Sequence, residues 1–199
     1  MSNASTIINP EDVRTVRPIA ENILDVKRIQ PYIREVETLD VMPAIGVSLY
    51  KQISLEDFQN DLQATGSAQI ATNSGKIITI TVDEWGKMMN GDYFTCNNTS
   101  CSCGSGEKYS AGLISAISYL AYARMLPNQP LNVTAFGVVQ KTTTLSEPVD
   151  EKTLFRAANE ARKIGLEYLK QAVEHLTCAG LIDNRTRKTK SYKKFKAIG

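Results

Sequence analysis

The sequence predicts a mainly α fold: a helical bundle with small β insertions near 76–82 and 133–145 and an extended arm at each end. Three observations carry this. Two long stretches, Tyr109–Leu126 and Glu151–Cys178, repeat apolar residues at helical spacing. KIITITV, from Lys76 to Val82, has the β-branched density of a strand. Both ends are polar or basic and show no sustained period. At 199 residues, with 42% apolar and 22% charged residues, the chain suits one soluble domain with a core. The expected division is an arm over 1–24, a helical domain over 25–180 with a Cys-containing loop at 92–108, and a basic tail over 181–199.

Pro10 and Pro18 punctuate the first arm, which reads as an irregular lead-in. From Asp25, a possible cap, Ile29, Ile33, Val36 and Leu39 recur at spacings of three and four, and Pro31 falls early in that helix, where its missing N–H costs least. A second helix is expected over Val41–Ile53 with a break at Gly46, and a third over Leu55–Ala64, closed by Thr65-Gly66. GSAQIATNSG is a small-residue stretch before the strand. Asp83 is expected to cap the short helix DEWGKMMN, which Asn90-Gly91 ends. Tyr109–Leu126 mixes Leu113, Ile117 and Leu120 with small residues that admit close neighbours, and Pro127 stops it. The last helix carries a stripe of Leu154, Ala157, Ala161, Ile164, Tyr168, Ala172 and Leu176, and ends at Ala179-Gly180.

No apolar run reaches the length of a membrane span, and MSNASTIINPED lacks the regions of a signal peptide, so the expected site of synthesis is the cytoplasm, with thiols reduced. The net charge of +2 is uneven. Asp183–Gly199 holds seven basic residues against one acid, a local net of +6, which leaves −4 for the preceding 182 residues. A basic end of this kind suits a partner with acidic or phosphate surface.

Candidate chemistry is sparse. Cys96, Cys101 and Cys103 form C-x4-C-x-C, three thiols that could ligate zinc with a fourth ligand from elsewhere. The spacing is not that of paired C-x2-C knuckles, so reduced free thiols are the default reading and no metal or cofactor is assigned. His175 and Cys178 share a helix face, the minimum for a nucleophile and its base. No third group accompanies them, and a helix end favours imidazolium, so His175 reads as structural. The acid pairs Glu56-Asp57 and Asp83-Glu84 sit at helix starts, where capping explains them. No phosphate-loop, dinucleotide, serine-elbow or zinc-protease motif occurs, and the sequence predicts no enzyme. In the tail, Arg185, Arg187, Lys188, Lys190, Lys193, Lys194 and Lys196 interleave with Tyr192 and Phe195. That pattern fits docking on an acidic groove of a protein partner, single-stranded nucleic acid, or a solubilising end.

Several segments in series carry a resemblance: VRPIAENI (16–23), RIQPYIREVETLDVMPAIGVSLYKQI (28–53), MMNGDYF (88–94), GLISAISYLAYARML (112–126), and TAFGVVQKTTTLSEPVD (134–150) before the long helix. Their order, and the G-x-x-L-Y element at Gly46–Tyr50, resemble head–tail connector (adaptor) proteins of tailed bacteriophages, in particular those of Bacteroides-type hosts, including crAss-like phages. The resemblance spans about residues 14–178, and the cysteine loop departs from the simplest helical connectors.

The resemblance implies a structural virion protein, assembled in the host cytoplasm. Its copies would form a ring, commonly a dodecamer, that binds the portal protein above and the next tail component below, around a DNA channel. Non-specific contact with genomic DNA would follow, with no membrane role. Such proteins work through interfaces. The extended stretch with Phe136, Val138, Val139, Lys141 and Thr143 is then the expected inter-subunit edge, and the basic tail the portal-docking element. The alternative is a small nucleic-acid-binding module that uses the tail and a zinc-ordered loop.

Overall fold

The centre of the fold is the helix Gly112–Met125, which has no fully exposed residue. The computed structural model describes residues 6–16, 26–72, 75–96, 106–128, 131–134, 137–140 and 151–182. The chain runs through α1 (Pro10–Val16), α2 (Val26–Val36), a π turn (Glu37–Val41), α3 (Met42–Ile45), α4 (Val47–Ile53) and α5 (Glu56–Thr65). Then come β1 (Ser67–Ala71), β2 (Ile77–Thr81), α6 (Val82–Asn90), β3 (Asp92–Thr95), β4 (Glu107–Ser110) and α7 (Gly112–Met125). A 3-10 turn (Leu126–Asn128), β5 (Leu131–Thr134), β6 (Gly137–Gln140) and α8 (Glu151–Cys178) complete the order. The mainly helical class with small β insertions is therefore as the sequence predicts. Each sheet is an antiparallel pair: β1 with β2, β3 with β4, and β5 with β6.

Helix α7 buries Leu113, Ala116, Ile117, Leu120, Ala121 and Met125, and even Ser118 is enclosed. Its small residues let α1, α2, α6 and α8 all pack on it. Helix α8 lies antiparallel to it: Gly165 meets Leu120, while Gln171 Oε1 accepts the Ala111 N–H at 3.3 Å. A Cβ on Gly165 would stand 2.8 Å from Leu120 Cγ. That contact explains a difference from the predicted stripe. The buried line runs through Ala158, Ala161, Gly165, Leu169, Ala172 and Leu176, leaving Ala157 exposed and Leu154, Ile164 and Tyr168 half-buried. A glycine permits a closer approach than Ile164 would, so the contact centres there.

The expected arm over 1–24 contains α1. Asn9 starts it, its N–H donated to Asp12 Oδ2 at 2.7 Å, with Pro10 in the first position. Ile8 and Val13 are buried in the main core. The segment is tied down by Glu37, which is 0% exposed. Glu37 Oε1 accepts the Ile7 N–H at 2.8 Å and the Ile8 N–H at 3.3 Å, and Oε2 accepts the Tyr50 hydroxyl at 2.9 Å. Tyr50 reaches it because Gly46, at φ 93°, breaks the helix as predicted and restarts it at Val47. Burial pushes the Glu37 carboxyl above its ordinary value, against the pull of Tyr50, the Ile7 and Ile8 amides and the Arg34 charge. Across the same region Arg124 of α7 holds Glu35 at 2.5 Å and Asp40 at 2.6 Å.

The small-residue stretch before KIITITV forms β1, which pairs with β2 in the register Ser67↔Thr81 to Ala71↔Ile77, with Ile70 and Ile80 buried. Gln52 of α4 accepts the Ala71 N–H at 2.8 Å and donates to its carbonyl at 2.7 Å. The cap of α6 is Thr81, one turn before Glu84 in a reciprocal capping box, where Asp83 was expected. Phe58 of α5 and Trp85 of α6 meet edge-on at 5.1 Å in the same core.

Between α6 and α7 two glycines cross. Gly91 (φ 97°) and Gly112 (φ 81°) leave no room for side chains: a Cβ on Gly112 would lie 2.4 Å from both the Gly91 nitrogen and the Met89 carbonyl. Gly112→Ala is expected to cost more than about 3 kcal/mol in urea unfolding, through strain and backbone overlap together; a loss under about 1 kcal/mol would contradict the crossing.

A second expectation concerns Glu37. With its folded pKa raised above the ordinary 4.5, the stability tied to its protonation is complete below that value and is lost as pH rises through the folded value. Glu37→Gln can still accept from Ile7 and Ile8 and donate to Tyr50, so its stability relative to the native chain should grow with pH across that window. Glu37→Ala leaves those donors unpaired and should cost about 1–3 kcal/mol.

Candidate functional site

Hairpin β3–β4 meets the end of α8 and brings Cys96 beside His175 and Cys178. Its register is Asp92↔Ser110, Tyr93↔Tyr109, Phe94↔Lys108 and Thr95↔Glu107. Strand alternation places Tyr93 and Tyr109 together on the outer face, 62% and 55% exposed, with rings edge-on at 5.3 Å. Phe94 turns inward and stacks on the His175 ring of α8, centroids 4.3 Å apart and planes 7° from parallel. Lys108 Nζ pairs with Glu174 Oε1 at 2.5 Å, and Lys87 lies 3.6 Å from Asp92. At the loop end, Cys96 forms a disulfide with Cys178, Cα atoms 5.1 Å apart across 82 residues of sequence.

That bond corrects two expectations. Cys96 and Cys178 are not free thiols, and the sulfur of Cys96 is committed to Cys178, so Cys96 is not available to zinc while the bond stands. Cys101 and Cys103 lie outside the described residues, among which no group of three His, Cys, Asp or Glu is placed to hold a metal. The pairing is invisible in sequence because it needs the hairpin to return to the far end of α8.

His175 is buried, and its pKa moves in the direction opposite to the expectation. Burial pushes its pKa below the ordinary 6.5; the Asp92 carboxylate opposes this and the Lys87 charge reinforces it. The ring is 7% exposed, and Nδ1 has no hydrogen-bond partner among the described residues. Desolvation exceeds the pull of the helix end. With Cys178 in a disulfide, the nucleophile-and-base pairing is absent from this state.

The predicted partner-binding residues Arg185, Arg187, Lys188, Lys190, Tyr192, Lys193, Lys194, Phe195 and Lys196 lie outside the described residues, as do Phe136, Lys141 and Thr143. Leu181 and Ile182, assigned to the tail, are buried in the core. Val138 and Val139 stand in β6 opposite Val133 and Asn132, so one edge of the predicted inter-subunit strand is taken by β5 of the same chain.

Elsewhere the surface offers apolar side chains and little chemistry. Ile77 is 64% exposed and Leu39 58%. Helix α8 exposes Phe155 and Leu166, and residues 151–157, its first two turns, contain none that is buried. An open groove of about 320 Å³ beside α1 is lined by Asp12, Thr15, Val16, Asn90, Ile114 and Ser115. It holds no paired acid and base.

The His175 assignment has a direct test. A depressed folded pKa means that the associated stability is complete above 6.5 and is lost as pH falls through that value toward the folded one. Thermal melts from about pH 7.5 to 5 should show this loss in the native chain and lack it in His175→Phe; equal slopes would refute burial as the cause.

A family model described as a family of unknown function (DUF6712) matches residues 42–180, more than half of the chain and inclusive of all three hairpins. No curated protein and no solved structure matches.

Proposed function

We propose that this chain, which belongs to the DUF6712 family, is a structural protein of a tailed-phage particle: a ring-forming head–tail connector that joins the portal vertex to the tail around the DNA channel. The observation that carries this reading is the set of three separate two-stranded sheets on a helical body. A lone two-stranded hairpin is marginal in water, and each strand in it keeps one edge outside the pairing. Such edges, where no side chain of the same chain fills them as Gln52 and Thr65 do on β1, suit addition of a strand from a second copy. Head-to-tail contacts of that kind close into a ring about an axis.

Two further features support the reading. Helix α8, with 28 residues and so about 42 Å long, is a stiff element whose first two turns contain no fully buried residue. Ile77, Tyr93 and Tyr109 are apolar groups beside strand edges, where a neighbour would cover them. The basic tail, in this reading, docks on the portal, with the DNA channel as its second possible contact. The nucleic-acid-binding alternative loses one of its zinc ligands to the disulfide.

Native mass spectrometry and negative-stain microscopy of the chain, alone and with the portal protein of the same particle, test the proposal. Rings in either condition are the expected result. Monomer in both conditions overturns it, and steeply salt-dependent oligonucleotide binding by that monomer would favour the alternative.

A further inference from the structure

The two ends of hairpin β3–β4 are held by different means. At one end, Gly91 and Gly112 bring the backbones of α6 and α7 into contact, and the chain itself anchors the strands. At the other end stands the Cys96–Cys178 bond, one residue beyond β3 and at the last residue of α8. Between them, a ring stack, Phe94 on His175, and an ion pair, Lys108 with Glu174, are among the non-covalent contacts that join the hairpin to α8. Neither cysteine belongs to the main hydrophobic core that α1, α2, α7 and α8 share.

We propose that the Cys96–Cys178 bond is a redox-set latch, which fixes the loop end of hairpin β3–β4, and with it the exposed Tyr93–Tyr109 pair, to the end of α8. Opening needs a small-molecule thiol as co-reactant. Its thiolate attacks one of the two sulfurs, forms a mixed disulfide and releases the other cysteine as a thiolate, which takes a proton. A second thiol then attacks the mixed disulfide, so the chain gains two electrons and two protons while the two small thiols become one disulfide. Closing is the same sequence in reverse, with a small-molecule disulfide as oxidant. Cys178 is half-buried and lies outside the main hydrophobic core.

With the bond cut, the hairpin stays hinged at its glycine end and its loop end keeps only non-covalent contacts, the stack and the ion pair among them. The aromatic pair on its outer face then has two states, clamped and loose.

The test uses the full chain, oxidised with oxidised glutathione or reduced with dithiothreitol, and the double variant Cys96→Ala/Cys178→Ala. Non-reducing peptide mapping should find Cys96 joined to Cys178 in the first sample. Hydrogen exchange should then show the amides of 92–95 and 107–110 losing protection by about tenfold or more on reduction, while those of α2 and α7 change by less than about twofold. The double variant should match the reduced chain in both buffers. Failure to find the bond, equal hairpin protection in the two states, or loss of protection spread over α2 and α7 would each overturn the latch.

Discussion

The constraint on which the structure depends is that α7 must be covered over most of its circumference. An amphipathic helix can rest on a neighbour and show its polar stripe to water, but α7 alternates bulky and small apolar residues around its circumference and has no such stripe. It forms only if α1, α2, α6 and α8 surround it. Each of these is held to the centre by a separate device: Glu37 for the N-terminal segment, Arg124 for α2 and the π turn, the glycine crossing for α6, and Gly165 for α8. Burying a carboxyl at Glu37 is costly unless its lone pairs are used, and three donors are brought to it. That is a reason for the Gly46 break, which turns Tyr50 back toward the carboxyl.

Much of the helical framework was legible in the residues. The bounds of α8, the break at Gly46, the stop at Thr65-Gly66 and the strand at 77–81 follow from local chemistry, which acts over one or two turns. What was not legible depended on partners distant in sequence. SAQIA has little strand character of its own and becomes β1 because Ile77–Thr81 and Gln52 supply its hydrogen bonds. Four-residue strands at 92–95 and 107–110 are too short to show a period. A helix in the first arm is legible in Asn9, Pro10 and Asp12 only once Ile8 and Val13 are known to have somewhere to go.

The site shows the same division. The sequence singled out Cys96, His175 and Cys178 for their reactivity, and the fold does bring them together, yet in a way that removes that reactivity: a disulfide and a buried, neutral imidazole stacked on Phe94. Spacing along one helix could not anticipate the hairpin that covers them. The exposed apolar residues Ile77, Tyr93, Tyr109 and Phe155 have no signature except an apolar side chain where strand or helix phase points outward. Phase becomes certain only when the register is fixed.

The small arrangement at Gln52 has a larger geometric consequence. By occupying both backbone groups of Ala71, it fills the outward side of β1 at one end, and the Thr65 hydroxyl, 2.6 Å from the Ser67 carbonyl, fills it at the other. On β2 the outward N–H of Thr81 is taken by Glu84, which leaves the backbone around Thr79, beside exposed Ile77, as the more open stretch. The first hairpin thus has a front and a back. A surface that can be extended on one side more readily than on the other gives any array built through it a direction, and repeated copies would face the same way.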